Sequence, residues 1–133
     1  MVIGQGRRLD AITVLVVGAG GVIGANARWA IGEWSTNVWS TAFPWGTLLV
    51  NLSGSLILGW FIAVSVRRER GQYARLLIAT GMLGAYTTFS TFAYETVRLV
   101  QRGDDLVAVT YVVASLVLGL GAAALGIRLG KSV

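Results

Sequence analysis

Cysteine and histidine are absent from the 133 residues of this chain. Their absence excludes disulfides, thiol nucleophiles and imidazole acid–base chemistry, and no other catalytic constellation is present, so we expect no enzyme activity. Charge is also scarce: charged residues make up 13% of the chain and hydrophobic residues 55%, whereas about 25% of residues are charged in a typical soluble domain. This balance predicts an integral membrane protein, with residues 1–133 in one domain.

Four stretches are apolar and long enough to cross a bilayer, since a spanning helix needs roughly 17–25 residues. An all-α membrane protein with four transmembrane helices per subunit is therefore predicted. The expected spans lie at about residues 11–32, 45–66, 76–97 and 106–127. The N-terminal stretch resembles a signal peptide, but it lacks a convincing cleavage site, and we interpret it as the first membrane helix.

The basic residues give the chain a net charge of +5. They flank the apolar spans, which favours a role in membrane topology over nucleic-acid binding. With four spans, both termini and the central basic loop share one side, which the positive-inside rule places in the cytoplasm. Eight positive charges lie on that side and three toward the other: Arg7, Arg8, Arg67, Arg68, Arg70, Arg75, Arg128 and Lys131 against Arg28, Arg98 and Arg102.

Glycines in the first span raise the question of a nucleotide-binding turn. Their spacing misses the G-x-G-x-x-G pattern, and no alternation of strands and helices follows. Gly20 and Gly24 instead match a G-x-x-x-G helix-packing face. Two further pairs of small residues, Ser55/Gly59 and Ser115/Gly119, predict the same kind of packing.

Tryptophan is concentrated around the first loop, which also holds the only proline, Pro44. The four residues are Trp29, Trp34, Trp39 and Trp45. Such a cluster is typical of an aromatic belt at the membrane interface, and a ligand site is the alternative.

Polar side chains form stripes inside three of the spans. They mark an interface or a pathway, because hydrocarbon offers polar groups no hydrogen bonds. The alternative for each stripe is hydrogen bonding that only joins helices. The stripes, each on one helix face, are Thr47, Asn51 and Ser55, then Thr88, Thr91 and Glu95, then Tyr111 and Ser115.

The third span has the composition of a broken helix. Gly81 and Gly84 precede a run of threonines with weak helix propensity. A break would free backbone carbonyls that can hold a cation, whereas the alternative is a regular helix whose Thr hydroxyls bond to the preceding turn. The neutral donors of the stripes and the partially positive ring edges of Phe89 and Phe92 suit a small, hard anion.

These stretches resemble a known family. The chain resembles the Fluc (CrcB) fluoride channels over roughly residues 14–128, nearly its whole length. The matching motifs are GGVIGANARW (20–29), WGTLLVNLSGS (45–55), TGMLGAYTTFSTF (80–92) and the Tyr111/Ser115 pair.

The resemblance implies a channel that exports cytoplasmic fluoride passively and so limits its toxicity. It implies an antiparallel, dual-topology homodimer in the cell inner membrane, with two fluoride pores at the dimer interface and the third helix broken near its middle. A structural sodium ion that is not transported would be held by backbone carbonyls of Gly84 and Thr87. The implied pore-lining residues are Asn51, Phe89, Phe92, Thr47, Thr91, Glu95, Tyr111 and Ser115, with Arg28 as a structural residue at the vestibule.

The chain departs from the family pattern in three respects. Ala85 and Tyr86 follow Gly84 where many members have a second glycine, and Gly119 stands where some members have a serine. The charge bias is the third, because an antiparallel homodimer requires the same chain to insert in both orientations. A homologous partner chain of opposite orientation is therefore the alternative to a homodimer.

Two other functions are compatible with four spans. A small multidrug-type transporter needs a carboxylate inside the first span, and none lies between Asp10 and Arg28. A non-conducting assembly subunit would use its polar stripes only to join helices. Flux measurements separate a fluoride channel from both.

Overall fold

The computed structural model describes residues 10–68 and 71–133. Three of the eight positive charges on the predicted cytoplasmic side, Arg7, Arg8 and Arg70, lie outside the described residues. Within these ranges the chain is helical and has no strand, which confirms the all-helical class. Four helical segments are long and apolar enough to cross a membrane: Ala11–Val38, Trp45–Arg67, Gln72–Gln101 and Asp105–Ser132.

Helix α1 (Ala11–Val38) covers the glycine-rich stretch without a strand or a turn. At its start, the carboxylate of Asp10 accepts a hydrogen bond from the backbone N–H of Thr13 at 2.7 Å. This bond caps the helix and lowers the pKa of Asp10. The helix extends past the expected end near residue 32, because hydropathy marks the lipid-embedded part of a helix and not its last turn.

Helices α2 (Trp45–Arg67) and α6 (Asp105–Ser132) pack closely through small residues. A methyl carbon built on Gly59 would lie 2.5 Å from the carbonyl oxygen of Ala123, and one built on Gly130 would lie 2.6 Å from that of Trp60. Gly59 is therefore confirmed as a packing position.

The same expectation for the Ser115/Gly119 pair is wrong within this chain. A methyl carbon on Gly119 would meet nothing within 4 Å in the described part of the chain. Gly119 and Ser115 line a cavity instead. Spacing identifies two small residues on one face of a helix, but it does not say what that face contacts.

The third span consists of four helical elements in succession. They are α3 (Gln72–Arg75), a π-helical segment (Leu76–Leu83), α4 (Gly84–Tyr86) and α5 (Phe89–Gln101). Most π-helices are single-turn bulges, so a segment of 8 residues is unusually long. The sequence contains no signal that predicts it.

The π-helical segment lies against α1. A methyl carbon on Gly20 would lie 2.8 Å from the backbone nitrogen of Met82, and one on Gly24 would lie 3.0 Å from that of Tyr86. The predicted G-x-x-x-G face is therefore confirmed, and its partner is the π-helical segment together with α4. Only glycine lets the two backbones approach this closely.

A small core lies where α2, α5 and α6 meet. It contains Leu48, Leu99, Ala108 and Tyr111, of which Tyr111 has 0% exposure. A turn at Gly103, with φ of 80° in the left-handed region that glycine favours, joins α5 to α6. Large apolar side chains elsewhere are exposed on every span, as expected of a surface that lipid or another subunit covers.

Candidate functional site

The backbone of the third span is not helical at Thr87 and Thr88. Thr87 has φ −80° and ψ 154°, and Thr88 has φ −148° and ψ 118°, values of extended backbone. Helix α5 then begins with Thr88 as its N-cap, because the Thr88 hydroxyl accepts a hydrogen bond from the N–H of Thr91 at 3.2 Å. Threonine is a preferred N-cap residue for this bond. We call residues 87–88 the interruption.

Asn51 of α2 holds the interruption at two points. Its Oδ1 accepts a hydrogen bond from the backbone N–H of Thr88 at 2.8 Å, and its Nδ2 donates to the carbonyl of Thr88 at 3.0 Å. Both polar backbone groups of Thr88 are thus satisfied inside a span, where lipid could not satisfy them. One N–H of the Asn51 amide remains for another acceptor.

A second contact from α2 holds the helix end before the interruption. The hydroxyl oxygens of Ser53 and Tyr86 lie 2.8 Å apart, and that of Ser53 lies 2.7 Å from the carbonyl of Leu49. Both bonds are satisfied if Ser53 donates to Leu49 and Tyr86 donates to Ser53. Between the two contacts, a methyl carbon on Gly54 would collide with the Thr87 methyl group and lie 3.1 Å from the Tyr86 ring.

The interruption releases two backbone carbonyls. In a continuous α-helix, the carbonyls of Gly84 and Thr87 would accept hydrogen bonds from the N–H groups of Thr88 and Thr91. Here those N–H groups donate to Asn51 and to the Thr88 hydroxyl. Carbonyl oxygens of unwound helices are suitable ligands for Na⁺. In the described ranges no three His, Cys, Asp or Glu side chains come together as a metal site.

Glu95 is held by a hydroxyl on each carboxylate oxygen. Thr47 donates to Oε1 at 2.9 Å, and Tyr111 donates to Oε2 at 2.7 Å. The three residues belong to α2, α5 and α6, so the three polar stripes meet at this carboxylate. The Tyr111 hydroxyl reaches it from the core.

A cavity of about 270 Å³ opens beside the interruption. The hydroxyl of Ser115 is buried and has no hydrogen-bond partner within the described part of the chain, so its capacity to donate is unsatisfied there. The rings of Phe89 and Phe92 lie 5.8 Å apart, and Phe89 is 78% exposed. Asn51 also lines this cavity. Neutral donors and aromatic edges therefore surround a space large enough for a small hydrated ion.

A second cavity, of about 980 Å³, shares Thr88 with the first. Three arginines and two glutamates line it, which gives an excess of one positive charge. The arginines are Arg28, Arg98 and Arg102 and the glutamates Glu33 and Glu95, alongside Thr47 and Thr91. Such a cavity attracts anions from water.

Ring contacts join the tryptophan-rich loop to the smaller cavity. Centroid distances are 4.6 Å from Trp45 to Phe43, 5.5 Å from Phe43 to Tyr111 and 5.2 Å from Tyr111 to Phe92. Trp39 and Trp45 also line the larger cavity. The loop thus forms part of the wall of the site, in addition to any role at the membrane interface.

The structure brings the predicted site residues together in two groups. Asn51, Phe89, Phe92 and Ser115 line the smaller cavity, whereas Arg28, Thr47, Thr91 and Glu95 line the larger one. Tyr111 lines neither, and it reaches the site only through Glu95. Gly84 and Thr87 lie at the interruption.

Sequence reasoning missed three residues of the site: Thr88 as a backbone partner, Ser53 and Tyr86. Thr88 could have been found, because threonine before a helical segment is an N-cap signal. No sequence signal pairs Ser53 with Tyr86.

The fold and the site define a small multi-pass membrane protein whose polar residues surround ion-sized and larger cavities, the class to which channels and transporters belong. The chain is a member of the CrcB family, because the family model described as "CrcB-like protein, Camphor Resistance (CrcB)" matches residues 15–127. Several similar relatives carry the name "Fluoride-specific ion channel FluC", the name of an ion channel and not of an enzyme.

Three of these relatives match nearly the whole of both chains. The protein of Chloroflexus aurantiacus is 42% identical over 119 residues, which cover 89% of this chain and 94% of the relative. That of Oceanobacillus iheyensis is 44% identical over 117 residues, covering 87% and 89%. That of Thermus thermophilus is 42% identical over 116 residues, covering 87% and 91%.

Proposed function

We propose that this chain forms a fluoride-selective channel that lets fluoride leave the cytoplasm passively and so limits its toxicity. The observation that carries the proposal is the identity of 42–44%, over nearly the whole chain, with relatives named as fluoride-specific ion channels. Fluoride enters cells as neutral HF, ionises and is trapped. The membrane potential then drives the anion outward through any selective pore.

The chemistry of the smaller cavity supports this proposal. Fluoride is small and strongly hydrated, so a pore must replace its water with short donor contacts. The second N–H of Asn51 and the hydroxyl of Ser115, which has no partner among the described residues, are such donors. The edges of Phe89 and Phe92 carry partial positive charge. In this proposal Arg28 helps to concentrate anions in the larger cavity, and Thr47, Thr91, Glu95 and Tyr111 continue the polar path.

The conducting unit we propose is an antiparallel homodimer in the cell inner membrane, with two pores at the dimer interface. Both termini of one subunit would lie on the cytoplasmic side, and both termini of the other on the external side. Phe89 is largely exposed in the single chain, which supports this arrangement. A pore lined by this ring needs protein on its other side, because it would otherwise be open to lipid. A second copy of the chain would supply that side. A homologous partner chain of opposite orientation is the alternative that the charge bias favours.

We also propose that the carbonyls of Gly84 and Thr87 hold a structural sodium ion shared between two subunits. The ion would supply a fixed positive charge near the pores and would join the two interrupted helices. The support is that both carbonyls have lost the N–H partners of a continuous helix. The ion would not be transported.

Efflux from proteoliposomes of the purified protein tests the function. Fluoride is followed with an electrode under a valinomycin-set potassium potential, and chloride is followed in a parallel experiment. We expect rapid fluoride efflux without chloride efflux. If a folded dimer released neither ion, the proposal that this chain forms a channel by itself would be contradicted. Exchange of drug cations for protons would identify a transporter.

A further inference from the structure

The Thr88 N–H decides whether the third span is continuous. In an α-helix it would donate to the carbonyl of Gly84, but it donates to Asn51 Oδ1 at 2.8 Å. The same amide group also donates to the carbonyl of Thr88 at 3.0 Å. A side chain of α2 therefore occupies the position that the Gly84 carbonyl would occupy in an unbroken helix.

We propose that Asn51 is a positioning residue that keeps the helix interrupted by taking the Thr88 N–H, and that it thereby leaves the Gly84 carbonyl free to bind Na⁺. This inference rests on the proposed function, because the cation is part of it. It gives Asn51 a role that is separate from contact with fluoride. The two roles use different atoms, since one N–H of the amide still faces away from Thr88.

The requirements of this role select among side chains. To free the Gly84 carbonyl, position 51 needs only an acceptor for the Thr88 N–H. A donor on the same planar group also satisfies the Thr88 carbonyl. Asparagine supplies both, aspartate supplies only acceptors, and leucine, of similar size, supplies neither. Without an acceptor at position 51, the cheapest partner for the Thr88 N–H inside a membrane is the Gly84 carbonyl.

Contacts on both sides hold the residues that flank Thr88. If the Thr88 N–H changed its partner from Asn51 to Gly84, the backbone would therefore shift mainly at Thr88. The hydrogen bond between Ser53 and Tyr86 fixes the end of α4 at 2.8 Å, and Gly54 lies against the Thr87 methyl group. The N-cap bond from Thr91 fixes the start of α5. The state of the Gly84 carbonyl therefore depends chiefly on Asn51.

The test measures thermal unfolding of the purified protein in detergent at increasing Na⁺, with N-methyl-D-glucamine replacing Na⁺ at constant ionic strength. The unfolding midpoint of the native chain is expected to rise by several degrees for each tenfold increase in Na⁺ above its dissociation constant, because an ion that binds only the folded state stabilises it. Asn51→Asp keeps the acceptor and is expected to keep this rise. Asn51→Leu is expected to lose it.

Ser115→Ala is the matched control, because Ser115 lines the same cavity but its hydroxyl makes no hydrogen bond to the interruption in the described chain. We expect it to keep the full Na⁺ response. Fluoride efflux from Asn51→Asp gives the second readout. Efflux is expected to fall at least tenfold, because a carboxylate in the pore repels the anion. The Na⁺ response of the same variant is expected to remain. A general structural defect would not separate the two readouts in this way.

A normal Na⁺ response in Asn51→Leu would overturn the proposal, and so would its loss in Asn51→Asp. If Asn51→Leu does not fold, Asn51→Ala, which also lacks an acceptor for the Thr88 N–H, takes its place. A native chain that conducts fluoride but shows no Na⁺ response would refute the cation role of Gly84 and leave the channel intact. A Na⁺ response without fluoride flux would refute the channel and leave the positioning role intact.

Discussion

Glu95 is the side chain at which the three polar stripes meet. Both carboxylate oxygens accept hydrogen bonds, from Thr47 and Tyr111, and the rotamer of the side chain is therefore fixed from two neighbouring helices. Tyr111 can hold it firmly because its ring is wholly buried and contacts Phe43 and Phe92. A buried ring thus controls a carboxylate that faces the larger cavity.

Tyr111→Phe should loosen this carboxylate. The variant removes one bond and leaves a partly buried oxygen without its donor, at a cost of about 1–3 kcal/mol in the free energy of unfolding. We expect a lower unfolding midpoint and slower fluoride efflux. Tyr94→Phe is the control, because Tyr94 is 64% exposed and lines the larger cavity, while the hydroxyls that donate to Glu95 in the described chain are those of Thr47 and Tyr111. Equal effects of the two variants would exclude a specific role for the Tyr111 hydroxyl.

Phe89→Ile tests whether an aromatic edge contributes to conduction. The change keeps an apolar side chain of moderate size but removes the partially positive ring edge. We expect fluoride efflux to fall roughly tenfold, equivalent to about 1.4 kcal/mol in the barrier, while the dimer elutes normally on size exclusion. Leu116→Ile on the wall of the same cavity is the control. Unchanged efflux in Phe89→Ile would make the ring a packing element only.

At the scale of elements, α1 and the π-helical segment depend on close backbone contact. Gly24 shows this best, since a methyl carbon there would collide with the carbonyl of Met82. The glycine spacing predicted the face on α1, but it did not predict the partner. A glycine packing face can be recognised from its spacing in the sequence. The π-helical turns of Leu76–Leu83 cannot, because an apolar stretch with small residues can form an α-helix or a π-helix.

Gly24→Ala should therefore destabilise the protein by about 1–3 kcal/mol, the usual cost of an extra methyl group in a packed contact. Gly18→Ala is the matched control, as a methyl carbon there would meet nothing within 4 Å of the described chain. Thermal unfolding in detergent compares the two. A similar loss for Gly18→Ala would show that the opposite face of α1 is also covered, and size exclusion would then reveal whether a second subunit covers it.

The interruption was only partly predictable for a similar reason. Glycines and threonines around residues 81–88 indicate a weak helix, and Asn51 lay on a predicted polar stripe. The hydrogen bond that joins them has a backbone group as one partner, and backbone groups carry no residue-specific signal. The contact between Ser53 and Tyr86 was equally hidden, because it depends on how α2 is rotated against α4.

For the whole molecule, the number and order of the spans followed from hydropathy, because the requirement for about 20 apolar residues leaves little choice. The pairing of the spans did not. Helix α2 contacts α6 most extensively, although α6 is the most distant span along the chain. Glycines on both helices allow this close packing: Gly59 of α2 lies against the backbone of α6, and Gly126 of α6 lies against the backbone of α2. The sequence alone does not show that these glycines face the partner helix.

Orientation in the membrane is testable because the chain lacks cysteine. Single variants Ser40→Cys and Ser132→Cys place one thiol at each end of the bundle. In an antiparallel homodimer, a membrane-impermeant maleimide should label roughly half of each variant in intact cells. Complete labelling of Ser40→Cys and none of Ser132→Cys would indicate one fixed orientation, as the positive-inside rule alone predicts, and would require a partner chain of opposite orientation.

The contact between Asn51 and Thr88 also has a consequence for biosynthesis. The two residues are 37 positions apart, and at roughly 5–20 residues per second a ribosome adds Asn51 about 2–7 s before Thr88. Helix α2 thus leaves the ribosome, and can enter the bilayer, ahead of the segment that cannot satisfy its own backbone. When that segment inserts, the Asn51 amide is already present to bond the N–H and carbonyl of Thr88. The nascent chain therefore need not expose these polar groups to lipid.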